Sequence, residues 1–346
     1  MKATIYHVAE EAGVSTATVS KVINNKGLIS LDTKRRVLEA TRKLNYRPNE
    51  MAKALTEKKT KIIGFLVSDI ASPFFAELTR SISEQCRLQG FNIMVCSTDG
   101  QPDKEKNGVS ALIRQGVDGF IVASDHYPKI IEDELKKRGL KGIFLSTEPE
   151  KHDYAMPLIT VDNYEGACQA VRHLLASNHK KVAMIAENTA AGKIRLRAFR
   201  DTMEEAQLPL DKQFVIKTAS SVENGYECAK RLLALKERPS AIFVSSDVLS
   251  GGVIKAAREM NIRIPQELSI IGFDNLSICE LTSPPLTTIA QPIRVMGRRA
   301  VELLMKQIEG AETHTRTHIM ETSLMVRNST SFHHDIQECQ SVGSST

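Results

Sequence analysis

Five carboxylates in this sequence stand just after short apolar runs. Asp69 follows 62–67, Asp99 follows 91–96, Asp125 follows 119–123, Asp247 follows 240–244 and Asp274 follows 269–273. Hydroxyls keep them company: Ser124 precedes Asp125, Ser246 precedes Asp247, and Thr147 follows the run at 142–145. Each run has the length of a buried strand, and helical patterns separate them. Ligands of open parallel sheets bind outside the carboxyl ends of the strands. Acids and hydroxyls gathered there, with Phe74 and Phe75 nearby, suit a small polyhydroxylated ligand. An aromatic ring packs the apolar face of such a molecule and charged groups pair with its hydroxyls. Taken singly, Asp247 and Asp274 read equally well as caps of following helices.

A second chemistry lies near the N-terminus. Thr16, Ala17, Thr18, Ser20 and Lys21 are short side chains, uncharged or singly basic, on a helical stretch at 16–24. Side chains of this kind suit a major groove, where they reach base edges and phosphates. A three-helix bundle that binds a protein instead remains open on this pattern alone. Catalysis has no comparable foothold. The body carries no G-x-G-x-x-G, P-loop, H-E-x-x-H or G-x-S-x-G motif, so no enzyme is expected. The six Cys form no CxxC pair, which fits neither a zinc ribbon nor a disulfide framework. His314, His318, His333 and His334 share no helix face with a carboxylate or thiol. Neither a metal site nor a cofactor is expected.

The elements that must position these residues fall into a small basic head and a large neutral body. The chain has 346 residues, with 46 Lys and Arg against 41 Asp and Glu. Twelve of the basic residues and six of the acidic ones lie in 1–60, so the whole positive excess sits there. That asymmetry marks a polyanion-binding head. No apolar stretch approaches the roughly 18 residues of a membrane span. The N-terminus has no secretory pattern, and a cytoplasmic location is expected. In the head, Ile5, Val8 and Ala9 define a first helix over 5–11, with Thr4 as its N-cap. Gly13 breaks it and Ser15 caps the second, whose Val19, Val22 and Ile23 face inward. Ser30 or Asp32 opens a third, with Val37, Leu38 and Leu44 on its apolar side. Two short helices joined by a glycine turn and closed by a third make a helix-turn-helix.

Pro48 ends the third helix, and Asn49 can cap a short one over 50–57. A helix of that length is marginal in water until something docks it. From 62 onward strand runs at 62–67, 91–96, 119–123, 142–145, 182–185, 240–244 and 269–273 alternate with helical stretches. Alternation of this kind gives parallel sheets with helices on both faces, in more strands than one sheet of about six holds. Gly251-Gly252, inside a helical pattern, reads as a close-packing site.

The run Thr4-Ile5-Tyr6-His7-Val8-Ala9-Glu10-Glu11-Ala12-Gly13-Val14-Ser15-Thr16-Ala17-Thr18-Val19-Ser20-Lys21-Val22-Ile23-Asn24 resembles the signature of the lactose/galactose repressor family, a family of bacterial transcription regulators. Asn45-Tyr46-Arg47-Pro48-Asn49 and Met51-Ala52-Lys53-Ala54-Leu55 are similar to that family's hinge. The resemblance spans about 330 residues and implies an all-α helix-turn-helix head on an α/β body. The body would have two doubly wound parallel-sheet lobes, like a periplasmic binding protein, joined by crossovers near 161, 291 and 323. It implies a head at 1–47, a hinge and linker at 48–60, one lobe from 61–161 plus 292–323 and a second from 162–291 plus 324–332; the polar end of the chain, 333–346, lies beyond the family pattern and is expected to be a disordered tail. It also implies DNA contacts from Thr4, Thr16, Ala17, Thr18, Ser20, Lys21, Asn24, Asn49, Ala52 and Leu55, with Leu55 wedged between base steps in the minor groove. Phe74, Asp125, Arg195 and Asp274 match positions that line the effector cleft in relatives, whereas Ser220 stands where some relatives carry an aromatic residue.

Two departures carry expectations of their own. His7 replaces an acid that would complete a capping box with Thr4, so the first helix is expected to be less well capped. Lys21 replaces an arginine, which removes the rigid bidentate fork that reads guanine. The expected partners are double-stranded operator DNA, a small-molecule effector and a second copy of the chain, with no membrane. In some relatives the surface matching Arg294, Arg298, Arg299 and Glu302 docks a phosphorylated carrier protein as corepressor. Glu302 is acidic where such a patch wants a base, so that partner is not expected. A solute-binding component of transport would fit the body equally well, but the basic head argues against it.

Overall fold

The structure, a computed structural model, describes residues 3–25, 27–47, 59–124, 128–146, 156–311 and 317–334. It divides into two compact units, 1–60 and 61–346. In the first, α1 (Ile5–Ala12), α2 (Thr16–Ile23) and α3 (Leu31–Lys43) enclose a core of Val8, Ala9, Ala12, Val19, Val22, Val37 and Ala40. Only small side chains fit between helices this short. Gly13 takes φ +62° at the end of α1, which a side chain with a Cβ rarely adopts. The Ser15 hydroxyl accepts from the Thr18 N–H at 3.1 Å, and the Ser30 hydroxyl from the Thr33 N–H at 3.2 Å. Those bonds start α2 and α3 and satisfy donors the helices cannot satisfy themselves. Leu38, expected inside, is 39% exposed. The seven-residue core is already closed by Val37 and Ala40 on its side of α3.

From Lys61 the second unit alternates strand and helix. The order is β1 (Ile62–Val67), α4 (Pro73–Leu88), β2 (Asn92–Ser97), α5 (Pro102–Arg114), β3 (Gly119–Ala123), α6 (Pro128–Lys137), β4 (Lys141–Leu145) and β5 (Leu158–Val161). It continues through α7 (Asn163–Ala176), β6 (Val182–Glu187), α8 (Ala190–Glu205), β7 (Val215–Thr218), α9 (Val222–Leu233), β8 (Ala241–Val244), α10 (Asp247–Glu259), β9 (Ser269–Asp274), α11 (Ile278–Leu281) and β10 (Thr287–Ala290). It ends with α12 (Ile293–Ile308), β11 (Thr317–Met320) and β12 (Ser323–Met325). Two six-stranded sheets result, in the orders β11-β5-β4-β3-β1-β2 and β12-β10-β9-β8-β6-β7. Every pairing is parallel except β10 with β12. The chain changes sheet three times, after β5, after β10 and after β11.

Helices cover both faces of each sheet. In β1, Ile63, Phe65 and Val67 face the cluster built with α4 and α12, while Leu66 faces the one built with α5 and α6. Two further clusters sandwich the second sheet, one with α9 and α10 and one with α7 and α8. A sheet buried on both faces reads as a continuous apolar run rather than an alternating one. That is why the seven runs stand out in the sequence and why short β5, β7, β10, β11 and β12 do not. These are three or four residues long, and β7 and β10 carry Lys217, Thr218, Thr287 and Thr288. The glycine pair splits. A Cβ on Gly252 would lie 2.1 Å from the Val222 carbonyl oxygen, so α9 and α10 touch backbone to backbone there. Gly251 has nothing within 4 Å of the same point.

The end of the chain corrects one expected boundary. His333 is not tail: its N–H donates to the Ser177 carbonyl at 2.8 Å and its ring stacks on His179 at 5.1 Å. Residues 335–346 lie outside the described ones.

Candidate functional site

The carboxyl ends of both sheets face a cleft of about 600 Å³. From the first sheet come Asp69, Phe74, Phe75 and Asp99, and from the second Glu187, Arg195, Ser220, Ser246, Asp274 and Gln291. Phe74, Arg195 and Asp274 all line this cleft. Asp125, Thr147, Asn49, Ala52 and Leu55 lie outside the described residues.

The first-sheet wall is aromatic with exposed acids. Phe74 and Phe75 pack edge to face at 5.2 Å. The Asp69 carboxylate accepts from the Ala71 N–H at 2.8 Å, and Asp99 pairs with Lys104 at 2.5 Å. The bond to Lys104, then its charge, hold the Asp99 carboxyl below its ordinary value. Ser124 turns away from the cleft and donates to Glu105, a buried acid on α5.

The second-sheet wall is a buried polar network. Arg195, on α8, is 4% exposed. Its Nε donates to the Asn163 side chain at 2.8 Å and its Nη1 to the Ser245 carbonyl at 2.5 Å. Its guanidinium lies 3.6 Å from the Phe273 ring centroid. Asp274 ends β9 with φ +118°, a conformation a non-glycine residue holds only when its surroundings impose it. Its carboxylate accepts from Gln291 Nε2 at 2.6 Å and sits 3.9 Å from Arg195 Nη1. Burial raises the Asp274 carboxyl well above its ordinary value. Arg195 opposes the rise, and the charges of Asp247 and Glu187 add to it.

Asp247 opens α10 but does not cap it; Ser246 does, accepting from the Leu249 N–H. The Asp247 carboxylate instead accepts from the Thr288 hydroxyl at 2.7 Å and the Leu276 N–H at 2.8 Å, tying β10 and the β9–α11 loop to α10. Burial pushes it up to about 6, against the bonds it receives from Cys279, Thr288 and the backbone.

Two cleft residues, Glu187 and Gln291, and one that supports the cleft, Asn163, lie beyond the sequence reading. Glu187 ends β6 and obeys the same strand-end rule as the other acids, but the sequence pattern ends that run at 185. Gln291 follows β10, a strand too short to be seen. Asn163 orients Arg195 from α7, and nothing local in the sequence links the two.

On the head, Thr4, Ala17 and Lys21 are exposed, while Thr16, Thr18, Ser20 and Asn24 are half-buried. Thr18 bonds to Ser15 through its hydroxyl at 2.9 Å, and the Asn24 side chain donates to the Ser20 carbonyl at 2.9 Å. Ala17 and Lys21, one turn apart on α2, are therefore the freest to meet another surface. The expectation of a weak cap on α1 is overturned: His7 Nδ1 accepts from the Thr4 N–H at 3.2 Å. An unprotonated imidazole nitrogen does what a carboxylate would do at that position.

Among the described residues no helix is long and apolar enough to cross a membrane, and no group of three or more His, Cys, Asp or Glu clusters as a metal site. A helix-turn-helix unit followed by a two-sheet body with a polar cleft at the strand ends defines a class: DNA-binding transcription regulators with a ligand-binding body. The comparisons with known proteins agree and go further. Residues 4–49 match the bacterial regulatory proteins of the lacI family, and residues 171–330 match the periplasmic binding protein-like domain. The chain is 39% identical over 336 residues to the HTH-type transcriptional regulator DegA of Bacillus subtilis (strain 168), covering 96% of this chain and 99% of that protein. It is 36% identical over 334 residues to the HTH-type transcriptional repressor PurR of Haemophilus influenzae (strain PittEE), covering 94% and 98%. The solved lac repressor dimer bound to operator and the anti-inducer ONPF superposes with TM-score 0.87 at 26% identity, covering 96% of this chain and 100% of that one. The chain belongs to the lacI family of bacterial regulatory proteins, and it is a DNA-binding transcription regulator.

Proposed function

We propose that this regulator is a cytoplasmic repressor and not an enzyme, that it binds a near-palindromic operator as a homodimer, and that a small hydroxylated metabolite, a sugar or sugar derivative, switches it from the cleft. The observation that carries the reading is the convergence of Phe74, Arg195, Asp274 and Gln291 on one cleft of about 600 Å³ in a chain whose positive excess lies in 1–60. The aromatic face and the fixed polar groups are what a polyol needs. The division into a head at 1–47, a hinge at 48–60, lobes at 61–161 plus 292–323 and 162–291 plus 324–332, and a tail belongs to the same proposal.

On DNA, Ala17 and Lys21 would meet base edges, Thr4, Thr16, Thr18, Ser20 and Asn24 the backbone and groove walls, and Asn49, Ala52 and Leu55 the minor groove at the dyad. One head buries too little surface for tight specific binding, so two related by a dyad would read inverted half-sites. In the cleft, Phe74, Asp125, Arg195 and Asp274 would hold the effector. The effector acts only through its different affinity for two arrangements of the lobes.

Selection of binding sites from random duplex tests the DNA half. Inverted repeats are the expected product, and recovery of one asymmetric site would overturn the dimeric reading. Titration of the selected operator complex with candidate sugars tests the other half.

A further inference from the structure

We propose that the ligand of the cleft carries a protonated amine, seated between Glu187, Asp274 and Gln291, and carries no phosphate or carboxylate. The inference rests on the reading of the cleft as the effector site and adds the charge of the molecule that fills it.

Among the described lining residues the acids are Asp69, Asp99, Glu187 and Asp274, and the one base is Arg195. Two of its nitrogens are already engaged: Nε donates to Asn163 and Nη1 to Ser245, and its face covers Phe273. Of the acids, Asp99 has Lys104 and Asp69 has the Ala71 N–H. Glu187 lines the cleft with no hydrogen bond or ion pair on its carboxylate among the described residues, and lies near enough to Asp274 for its charge to be felt there. Gln291 is 8% exposed, and because its amide nitrogen is donated to Asp274, its oxygen is left buried without a partner. The Glu187 carboxylate and the Gln291 oxygen are therefore acceptors that line the cleft beside Asp274 without a donor among the described residues. A buried acceptor left unpaired is costly and is normally matched. A phosphate or carboxylate would add more acceptors and like charge. A hydroxyl would supply one donor and no charge, whereas an ammonium supplies three donors, no acceptor and the missing positive charge.

Asp274 reports on the same event. Arg195 faces it from α8, Asp247 from α10, Glu187 from the end of β6 and Gln291 from beyond β10. Burial and the two acids keep its proton on well above the usual carboxylate range. An ammonium docking beside it favours the ionised form, so binding releases a proton and tightens as pH rises towards the amine's own titration. A neutral polyol releases none.

The experiment is calorimetric titration of the full chain with matched triplets of hexoses, each as the neutral sugar, the 2-amino sugar and the 6-phosphate, in two buffers of different ionisation enthalpy. In at least one triplet the amino sugar is expected to bind tenfold or more tighter than the neutral sugar, with proton release, and the phosphate to bind no tighter than the neutral sugar. Glu187→Gln is expected to erase that preference, and Glu187→Asp, which keeps the charge, to retain most of it. A panel in which no amino sugar outbinds its neutral and phosphorylated counterparts overturns the inference. So does a preference that survives Glu187→Gln. If a neutral or phosphorylated sugar binds best and Asp274→Ala abolishes that binding, the charge assignment falls and the cleft stands. Binding that survives Asp274→Ala removes the cleft itself.

Discussion

The head and the cleft solve the problem of presenting polar groups in opposite ways. In the head, a few small apolar side chains are drawn inward and the candidate contact surface is the outward side of one helix. Ala17 and Lys21 need only stay clear of that core. In the cleft, the polar groups are themselves the interior. Arg195 and Asp274 are buried, each oriented by residues from other elements. A surface of the first kind tolerates change one side chain at a time. A site of the second kind is a network, in which losing one member strands the others.

The largest expected effect breaks that network. Arg195→Met fits the space but removes the donors to Asn163 and Ser245 and the positive charge beside Asp274. Removing one partner of a buried ionic group costs about 3–5 kcal/mol. Effector affinity is expected to fall at least about 100-fold and the body to melt earlier, while operator affinity without effector changes little. Effector titration, calorimetry and a gel shift read the three. An Arg195→Met protein that still responds at the same effector concentration would show that the cleft is not organised around this guanidinium.

The contrast also explains how much could be read in advance. The head is contiguous in sequence, so caps, breaker and inward valines all lie between Thr4 and Val37 and follow one another in order. The sheets announced themselves where they are buried on both faces. What could not be read is what depends on distant residues. Asn163, Arg195, Asp274 and Gln291 are joined only once strands of one sheet and the two helices on one of its faces, α7 and α8, have packed. Glu187 was within reach, since it ends a strand as its fellow acids do, and the misplacement of one boundary by two residues hid it. His7 shows the reverse case: reasoning from residue type predicted a lost cap, and geometry restored it with a different atom.

Body stability against pH sharpens the comparison, with two buried groups acting in opposite senses. His179 is held between the Ser240 and Ser269 hydroxyls and the Ser331 carbonyl, with His333 stacked on it. Burial lowers its pKa to about 4 from the ordinary 6.5. The unfolded chain takes up the proton first as pH falls, so stability is lost between about 6.5 and 4, by roughly 3 kcal/mol in all. Asp247, raised to about 6, works the other way: its ionisation in the fold is disfavoured, so stability drops as pH rises from its unfolded value through about 6. The two partly cancel between pH 4 and 6. Asp247→Asn removes one side of the balance, and its melting temperature is expected to fall more steeply than the wild type's across that window. Parallel curves would mean that Asp247 is not ionising there.

On the head side, Ser15→Ala removes the cap of α2, whose hydroxyl accepts from the Thr18 N–H. Such a cap is worth about 1 kcal/mol. Operator affinity is expected to drop several-fold as α2 frays, with effector affinity and body melting unchanged. A change in effector affinity would show that the two surfaces are not independent in the way their construction suggests.

The smallest expected effect is the most specific to this sequence. His7 Nδ1 accepts from the Thr4 N–H at the start of α1. Glu at this position would accept the same N–H and suit the helix dipole. His7→Glu is therefore expected to change operator affinity less than about twofold, since either side chain closes the box at a difference of a few tenths of a kcal/mol. His7→Ala leaves the Thr4 N–H without that acceptor, and the first-turn amides of α1 are expected to exchange faster than in the wild type while the body is unchanged. Hydrogen exchange on the full chain reads the difference. Equal exchange of those amides in His7→Ala and the wild type would mean that the His7 bond contributes nothing to the start of the helix.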